Sequence, residues 1–265
     1  MQANGQVIKY KRVESILISQ PKPEGTRSPY YDLEKRYGLK IDFRPFIHVE
    51  GVDAKDFRKQ RVNLADFMAV IFTSRNAIEH FFRLCEESRV RVSPDTRYFC
   101  ISKTIADYLQ KFIIYRKRKV FYGQRSIADI KTSLFKYKSS EKFLLPCSNL
   151  GAKDVSDFLT LNNFDWQEAL MYNTVSSDLS DLSDVTYDIL AFFSPQGIQS
   201  LFENFPDFKQ NETRIATFGR STRQAAVESG LVVNIEAPLP EVPSMTMAIE
   251  NYLGVSNKEP EVAAK

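Results

Sequence analysis

The sequence predicts an α/β protein of two similar domains, each a parallel sheet flanked by helices, joined by a two-stranded linker. Three observations predict it. Short runs that are apolar at every position alternate with segments of helical period, and a strand apolar on both faces belongs in a parallel sheet covered on both sides. The length of 265 residues exceeds the usual domain size of about 150. The pattern of strand, serine-containing turn and helix also occurs twice, half a chain apart.

Taken in chain order, Ile16–Ser19 is the first strand. Leu39–Glu50 (LKIDFRPFIHVE) is strand-like but interrupted by Pro45, which has no N–H to give to a ladder. Met68–Thr73 is a second apolar run, and the segment after it places Ile78, Phe81, Phe82 and Cys85 on one helical face. Tyr98–Ser102, Lys119–Tyr122 and Lys142–Pro146 follow as strands, with Val155, Phe158 and Leu159 marking the next helix. Trp166–Val175 is strand-like, and Tyr187–Phe193, Arg214–Phe218 and Val232–Glu236 complete the set. Each crossover between parallel strands should be right-handed.

The internal repeat sets the domain plan. Ile71–Ile78 (IFTSRNAI) aligns with Ala191–Ile198 (AFFSPQGI), and Arg97–Ala106 aligns with Arg214–Arg223 at nearly the same offset. Because the second copy begins near Tyr187, one domain has to take its first strand from Ile16–Ser19. The expected division is 13–43 with 177–255 as a discontinuous domain and 54–168 as the other. Residues 44–53 and 169–176 are then linker strands, and 1–12 and 256–265 loose ends.

Composition removes several functions. The net charge of +3, from 36 Lys and Arg against 33 Asp and Glu, is too mild to announce nucleic acid. His48, His80, Cys85, Cys100 and Cys147 are the only histidines and cysteines, and none forms a CxxC or HxxxH pair, so no metal is expected. Three scattered cysteines also argue for a reducing compartment. With no signal-like apolar start and no run long enough to span a bilayer, the expectation is a cytoplasmic protein. Ten glycines include neither GxGxxG nor GxxxxGK[ST], which removes the usual dinucleotide and P-loop sites.

Ligands of open parallel sheets bind beyond the carboxyl ends of the strands. The loops expected there are Gln20-Pro21-Lys22, Thr73-Ser74-Arg75-Asn76, Ser102-Lys103-Thr104, Pro146-Cys147-Ser148-Asn149, Ser194-Pro195-Gln196-Gly197 and Gly219-Arg220-Ser221-Thr222. All carry hydroxyl, amide or basic groups and none a carboxylate. Each is expected to run into a helix N-terminus, which favours anions. For one loop alone, a serine that merely caps its helix, worth about 1 kcal/mol, is the simpler account. Six together suit a ligand with many negative charges, held where two domains face each other across a cleft. Other chemistry is thinner. Ser74 and Ser194 lack a GxSxG elbow, and neither histidine has a partner that would make a triad. His80 reads as a packed or half-exposed helix residue. Cys147, in a loop at a helix start, reads as small and semi-buried rather than reactive. The basic run Tyr115–Lys119 (YRKRK) reads as a solvated helix end.

With those loops identified, the sequence resembles the uroporphyrinogen-III synthase family from about Ile16 to Leu253. The stretches that carry the resemblance are VIFTSRNAIEHFF (Val70–Phe82), FLLPCSNL (Phe143–Leu150), ALMYNTV (Ala169–Val175), ILAFFSPQGIQSLF (Ile189–Phe202), RIATFGRSTRQAAVESGL (Arg214–Leu231) and EAPLPEVPSMTMAI (Glu236–Ile249). The resemblance implies two parallel α/β domains on a two-stranded linker and a substrate, hydroxymethylbilane, with eight carboxylates. It implies an enzyme that removes the terminal hydroxyl as water, inverts ring D through a spiro intermediate and closes the macrocycle without metal or organic cofactor. Uncatalysed closure gives isomer I, so the enzyme's work is largely positioning.

Residue by residue, Tyr172 and Thr174 match the family's Tyr-x-Thr, which makes Tyr172 either the group that assists departure of the hydroxyl or a linker tyrosine. Ser74 and Arg75 match Thr-Ser-x-x, Ser194 and Gly197 match Ser-Pro-x-Gly, and Ser221 and Thr222 match the family's paired threonines; Thr73, Gln196 and Arg220 of the same loops join them as expected substrate contacts. Ser148 and Asn149 belong to the same set of substrate contacts. Three departures stand out. Ser19-Gln20 replaces a Thr-Arg pair, with Lys22 as the nearest cation. Ile105 falls where Gly-x-x-Thr-Ala has threonine, leaving Ser102, Lys103 and Thr104 as the polar groups of that turn, and Arg220 replaces proline. The expected partner is the tetrapyrrole alone, with no nucleic acid and no membrane, bound by a monomer. A non-catalytic module binding a tetrapyrrole or another polyanion is the alternative.

Overall fold

The computed structural model describes residues 11–25 and 27–257. Runs of apolar residues form buried strands, and the helices between them cover both faces. In chain order the elements are β1 Ser15–Ile18, α1 Pro29–Tyr37, β2 Lys40–Phe43, β3 Ile47–Gly51 and α2 Ala54–Lys59. Then come β4 Ala69–Phe72, α3 Arg75–Glu87, β5 Arg97–Cys100, α4 Lys103–Leu109, β6 Val120–Tyr122, α5 Lys131–Tyr137, β7 Phe143–Ser148 and α6 Lys153–Leu161. β8 Trp166–Ser176, β9 Ile189–Phe192, α7 Pro195–Asn204, β10 Arg214–Phe218, α8 Arg220–Glu228, β11 Val233–Ala237 and α9 Met245–Ser256 follow.

Two sheets form, ordered β11-β10-β9-β1-β2 and β3-β8-β7-β4-β5-β6. The ladders of the first are parallel, as are those joining β8, β7, β4, β5 and β6. The α/β class with parallel sheets is therefore as the sequence predicts. β3 is antiparallel to β8: Val52 N–H bonds Met171 O, while Ser177 N–H bonds Phe46 O. The strand-like stretch around Pro45 divides into β2 and β3, since proline cannot donate at the break.

The chain separates into two units. One takes the chain up to His48 and again from Ser176, and the other is Val49–Val175. Each unit has its own cores on the two faces of its sheet. In the first these gather around Ile16, Ile18, Ile189 and Ile249, and around Leu17, Phe46, Phe192 and Ile215. In the second they gather around Phe72, Ile78, Phe81 and Leu144, and around Ile71, Phe99, Phe143 and Leu159.

Strand for strand, the sheets have one plan. β9, β10, β11, β1 and β2 take the places of β4, β5, β6, β7 and β8. The first unit is thus a circular permutation of the second, with the ends of the described residues where the second unit runs from α5 into β7. There Asn257 accepts the Val13 N–H at 2.9 Å and donates to Val13 O at 2.8 Å. Of the expected loose ends, 1–10 and 258–265 lie outside the described residues.

Candidate active site

Permuted or not, each sheet has a point where successive crossovers leave in opposite directions, and ligands of such sheets bind beyond the carboxyl ends there. In the Val49–Val175 unit that point lies between β4 and β7. Their ladder pairs Ala69 with Phe143 and Val70 with Leu144 and then stops, so the strand ends carrying Thr73, Ser74 and Ser148 are not joined by it.

Ser74 leaves β4 in extended conformation and caps α3, its hydroxyl accepting the Ala77 N–H at 3.0 Å. The same oxygen lies 3.0 Å from the phenol of Tyr172 on β8. Tyr172 is 6% exposed, and burial raises its pKa while bonds to Ser74 and Ser148 oppose the rise. The phenol is therefore a protonated donor at neutral pH. Ser148 stands beside Tyr172 in the β7–β8 register, after a bulge.

Three side chains fix β8 on either side of that tyrosine. Gln60, just after α2, donates to Leu170 O at 2.7 Å and accepts the Leu170 N–H at 2.9 Å. Arg83 of α3 donates to Val52 O at 2.7 Å and Met171 O at 3.3 Å, tying β3 to β8. Asn149 brackets Thr174, donating to its carbonyl at 3.2 Å and accepting its N–H at 2.8 Å. His80 stacks on Tyr172 with ring centroids 5.1 Å apart and planes at 18°. Its Nδ1 accepts the Arg83 Nε–H at 3.2 Å, which leaves the proton of a neutral ring on Nε2. Burial first, and then the Arg83 charge, lowers its pKa.

Several expectations change here. Asn149, assigned to the substrate, has its amide occupied by Thr174. Pro146, Cys147 and Ser148 belong to β7, and α6 begins only at Lys153, behind an Ala152 that offers no side-chain cap, so that stretch does not run into a helix. Cys147 is buried in a strand rather than set in a loop, and burial raises its thiol pKa. Lys103 is paired to both oxygens of Asp107, at 2.9 and 2.7 Å. Ser102 caps α4 through the Ile105 N–H at 3.4 Å, Ile105 is buried, and Thr104 is exposed. Arg75 is exposed, with its guanidinium 5.3 Å from the centre of the Tyr108 ring. His80, Gln60 and Arg83 escape a reading of the sequence because they come from two helices, and no spacing ties them to Tyr172.

In the other unit the corresponding point lies between β1 and β9. Ser194 repeats the geometry of Ser74, capping α7 through the Gly197 N–H at 3.2 Å. Gly197 is buried; a Cβ there would sit 3.6 Å from Ser194 Oγ and 3.8 Å from Ser19 Oγ, so both serine hydroxyls face it. Gln196 is half-buried. Gln20 and Lys22 are exposed in a long loop that also carries Glu24, and α1 starts only at Pro29 behind the cap Ser28. With Glu24 in that loop and α1 starting only at Pro29, the expectation of a carboxylate-free turn entering a helix fails there. Gly219 precedes α8 with φ 91 and no capping side chain. Arg220 and Ser221 are exposed, whereas Thr222 is 1% exposed and faces the interior.

Among the described residues no group of three or more His, Cys, Asp or Glu side chains is placed to hold a metal ion. No helix among them is long and apolar enough to cross a membrane.

The family model described as uroporphyrinogen-III synthase HemD matches residues 30–247. Among solved structures the chain is similar to uroporphyrinogen-III synthetase from Helicobacter pylori, with 16% identity and a TM-score of 0.58 over 91% of this chain and 99% of that one. It is also similar to a mutant uroporphyrinogen III synthase from the extremely thermophilic bacterium Thermus thermophilus, with 13% identity and a TM-score of 0.56 over 93% and 100%. Likeness at such identities shows the fold, which is shared. No curated protein matches the sequence significantly. The family match spans most of the chain, and the chain therefore belongs to the uroporphyrinogen-III synthase family.

Proposed function

We propose that this protein is a working uroporphyrinogen-III synthase, converting hydroxymethylbilane to uroporphyrinogen III with loss of water and inversion of ring D. The observation that carries the reading is the family match across residues 30–247. The geometry around Tyr172 adds a means. Its phenol is protonated, held by Ser74, and set at the carboxyl end of the sheet. In this reading it donates a hydrogen bond to the departing hydroxyl oxygen as the azafulvene cation develops, and the oxygen leaves as water.

The substrate's carboxylates bind at the helix starts and polar turns beyond the strands. The α3 and α7 starts keep first-turn N–H groups beyond the ones Ser74 and Ser194 satisfy. The groups of the Val49–Val175 unit suited to carboxylates are Thr73, Ser74, Arg75 and Ser148, and those of the other unit are Gln20, Lys22, Ser194, Gln196, Arg220 and Ser221. No metal or organic cofactor takes part in this reading, and the catalyst works by positioning and preorganised donors. The test is to supply freshly made hydroxymethylbilane and separate the products by isomer. Mostly isomer III, formed faster than spontaneous closure, is expected; isomer I at the spontaneous rate overturns the reading.

A further inference from the structure

The basic run Tyr115–Lys119 is not the helix end its sequence suggests. α4 stops at Leu109, and the run lies in the loop that leads into β6. From Tyr108 to Ala128 the chain has no carboxylate and carries Lys111, Arg116, Lys117, Arg118, Lys119 and Arg125. Lys119 is paired to Asp95. Among the described residues, Arg116, Lys117 and Arg118 have no carboxylate within ion-pair distance, and all three are exposed.

Apolar side chains stand out of the same loop. Ile114 is 87% exposed, and Phe112 and Tyr115 are exposed beside it. The loop is held rather than loose: Phe112 stacks on Phe82 with centroids 5.1 Å apart, and the Phe112 and Lys119 N–H groups bond Leu109 O and Arg116 O. Ile114, with exposed Phe112 and Tyr115 and three exposed cations in the same braced loop, makes an apolar patch rimmed by positive charge, the composition of an interaction surface.

We propose that this loop docks on an anionic lipid surface, with Ile114 entering the headgroup boundary. Phe112 and Tyr115 lie at the interface, and Arg116, Lys117 and Arg118 sit against lipid phosphates and carboxylates. An aliphatic tip has no use on a nucleic acid, where bases stack on aromatic rings. A lipid interface uses all three kinds of side chain. The placement leaves the candidate active site open. α4 begins at the carboxyl end of β5 and the loop feeds the start of β6, so the loop is at the amino-terminal end of the sheet. The contact is peripheral and reversible.

The test mixes the full chain with sedimenting vesicles of phosphatidylcholine alone or with phosphatidylserine. Expected is partition onto the anionic vesicles only, lost at high salt. Each basic residue near such a surface contributes about fivefold in partition, so Arg116→Gln, Lys117→Gln and Arg118→Gln together lower binding by about a hundredfold. Ile114→Asp lowers it by about tenfold or more. Circular dichroism checks the fold, and should Ile114→Asp not fold, the triple variant decides. Equal partition onto neutral and anionic vesicles, no binding to either, or binding by the triple variant like the unaltered chain overturns the proposal. Binding to single-stranded RNA or polyglutamate without binding to vesicles does so as well.

Discussion

Replacing Tyr172 with phenylalanine separates the two roles open to its phenol. The ring stays, so the stack with His80 and the buried apolar contacts are kept. What is lost is the phenol's bonds to Ser74 and Ser148, a net loss of about 1–2 kcal/mol, or about 2–8 °C in melting temperature. Ser74 still accepts the Ala77 N–H, so the cap of α3 survives. If the phenol also donates to the departing oxygen, the rate of isomer III formation falls by about a hundredfold or more. Ser74→Ala shifts the balance. It removes the cap, at about 1 kcal/mol, and one of the phenol's two partners, so it lowers stability by about as much as Tyr172→Phe yet slows turnover less. The assay is timed conversion of hydroxymethylbilane with chromatographic separation of isomers, beside thermal unfolding of the same preparations. A Tyr172→Phe rate within about fivefold of the unaltered protein, far short of the contribution of a general acid, refutes a role for the phenol in water loss.

Three further outcomes follow from named contacts. Gln60→Ala and Asn149→Ala each remove a two-pronged hold on β8; each should cost about 1–3 kcal/mol by denaturant unfolding, and each should lower turnover without abolishing it. Neutral His80, facing Arg83, Glu79 and Glu87, has a pKa held below its ordinary 6.5. The unfolded chain protonates there first, so the stability His80 contributes is present above pH 6.5 and declines as the pH falls below it. His80→Gln should flatten that part of the stability profile, and an unchanged slope would contradict the assignment. Cys85 and Cys100, with thiols pushed up to about 12, and buried Cys147 should resist a thiol reagent in the folded protein and react together on unfolding.

The fold is legible because its strands are apolar on both faces, and Val70, Ile71, Ile189 and Ile215 need no context to be read. Errors arise where proline has two readings. Pro45 marks a true break, whereas Pro146, which reads as the end of a strand, lies inside one that runs on to Ser148. The β4–β7 ladder has already stopped at Leu144, so the missing N–H of Pro146 costs nothing on that side. The site is legible as far as single turns go: Ser74 and Ser194 stand as caps at matching positions. The hold on Tyr172 is not, because Gln60, His80 and Arg83 reach it only when α2 and α3 pack against β8. Thr222 shows the opposite limit, since a residue type that suits a ligand can still point inward.

The permuted order of the first unit has a consequence for synthesis. Val49–Val175 leaves the ribosome as one stretch and can complete its sheet at once. β1 is made earlier yet must wait, because its neighbour β9 is encoded far downstream, with Ile16 beside Ile189. At ordinary elongation rates that interval is roughly 10–30 s. Ile16 and Ile18 spend it with only part of their core, Leu33, Leu39 and Ile41 being made but Ile249 and Leu253 of α9 not. β1 can pair with β2 early, yet its other edge and the part of its face shared with α9 are covered late, and a chain cut short before α9 leaves that part of the core exposed.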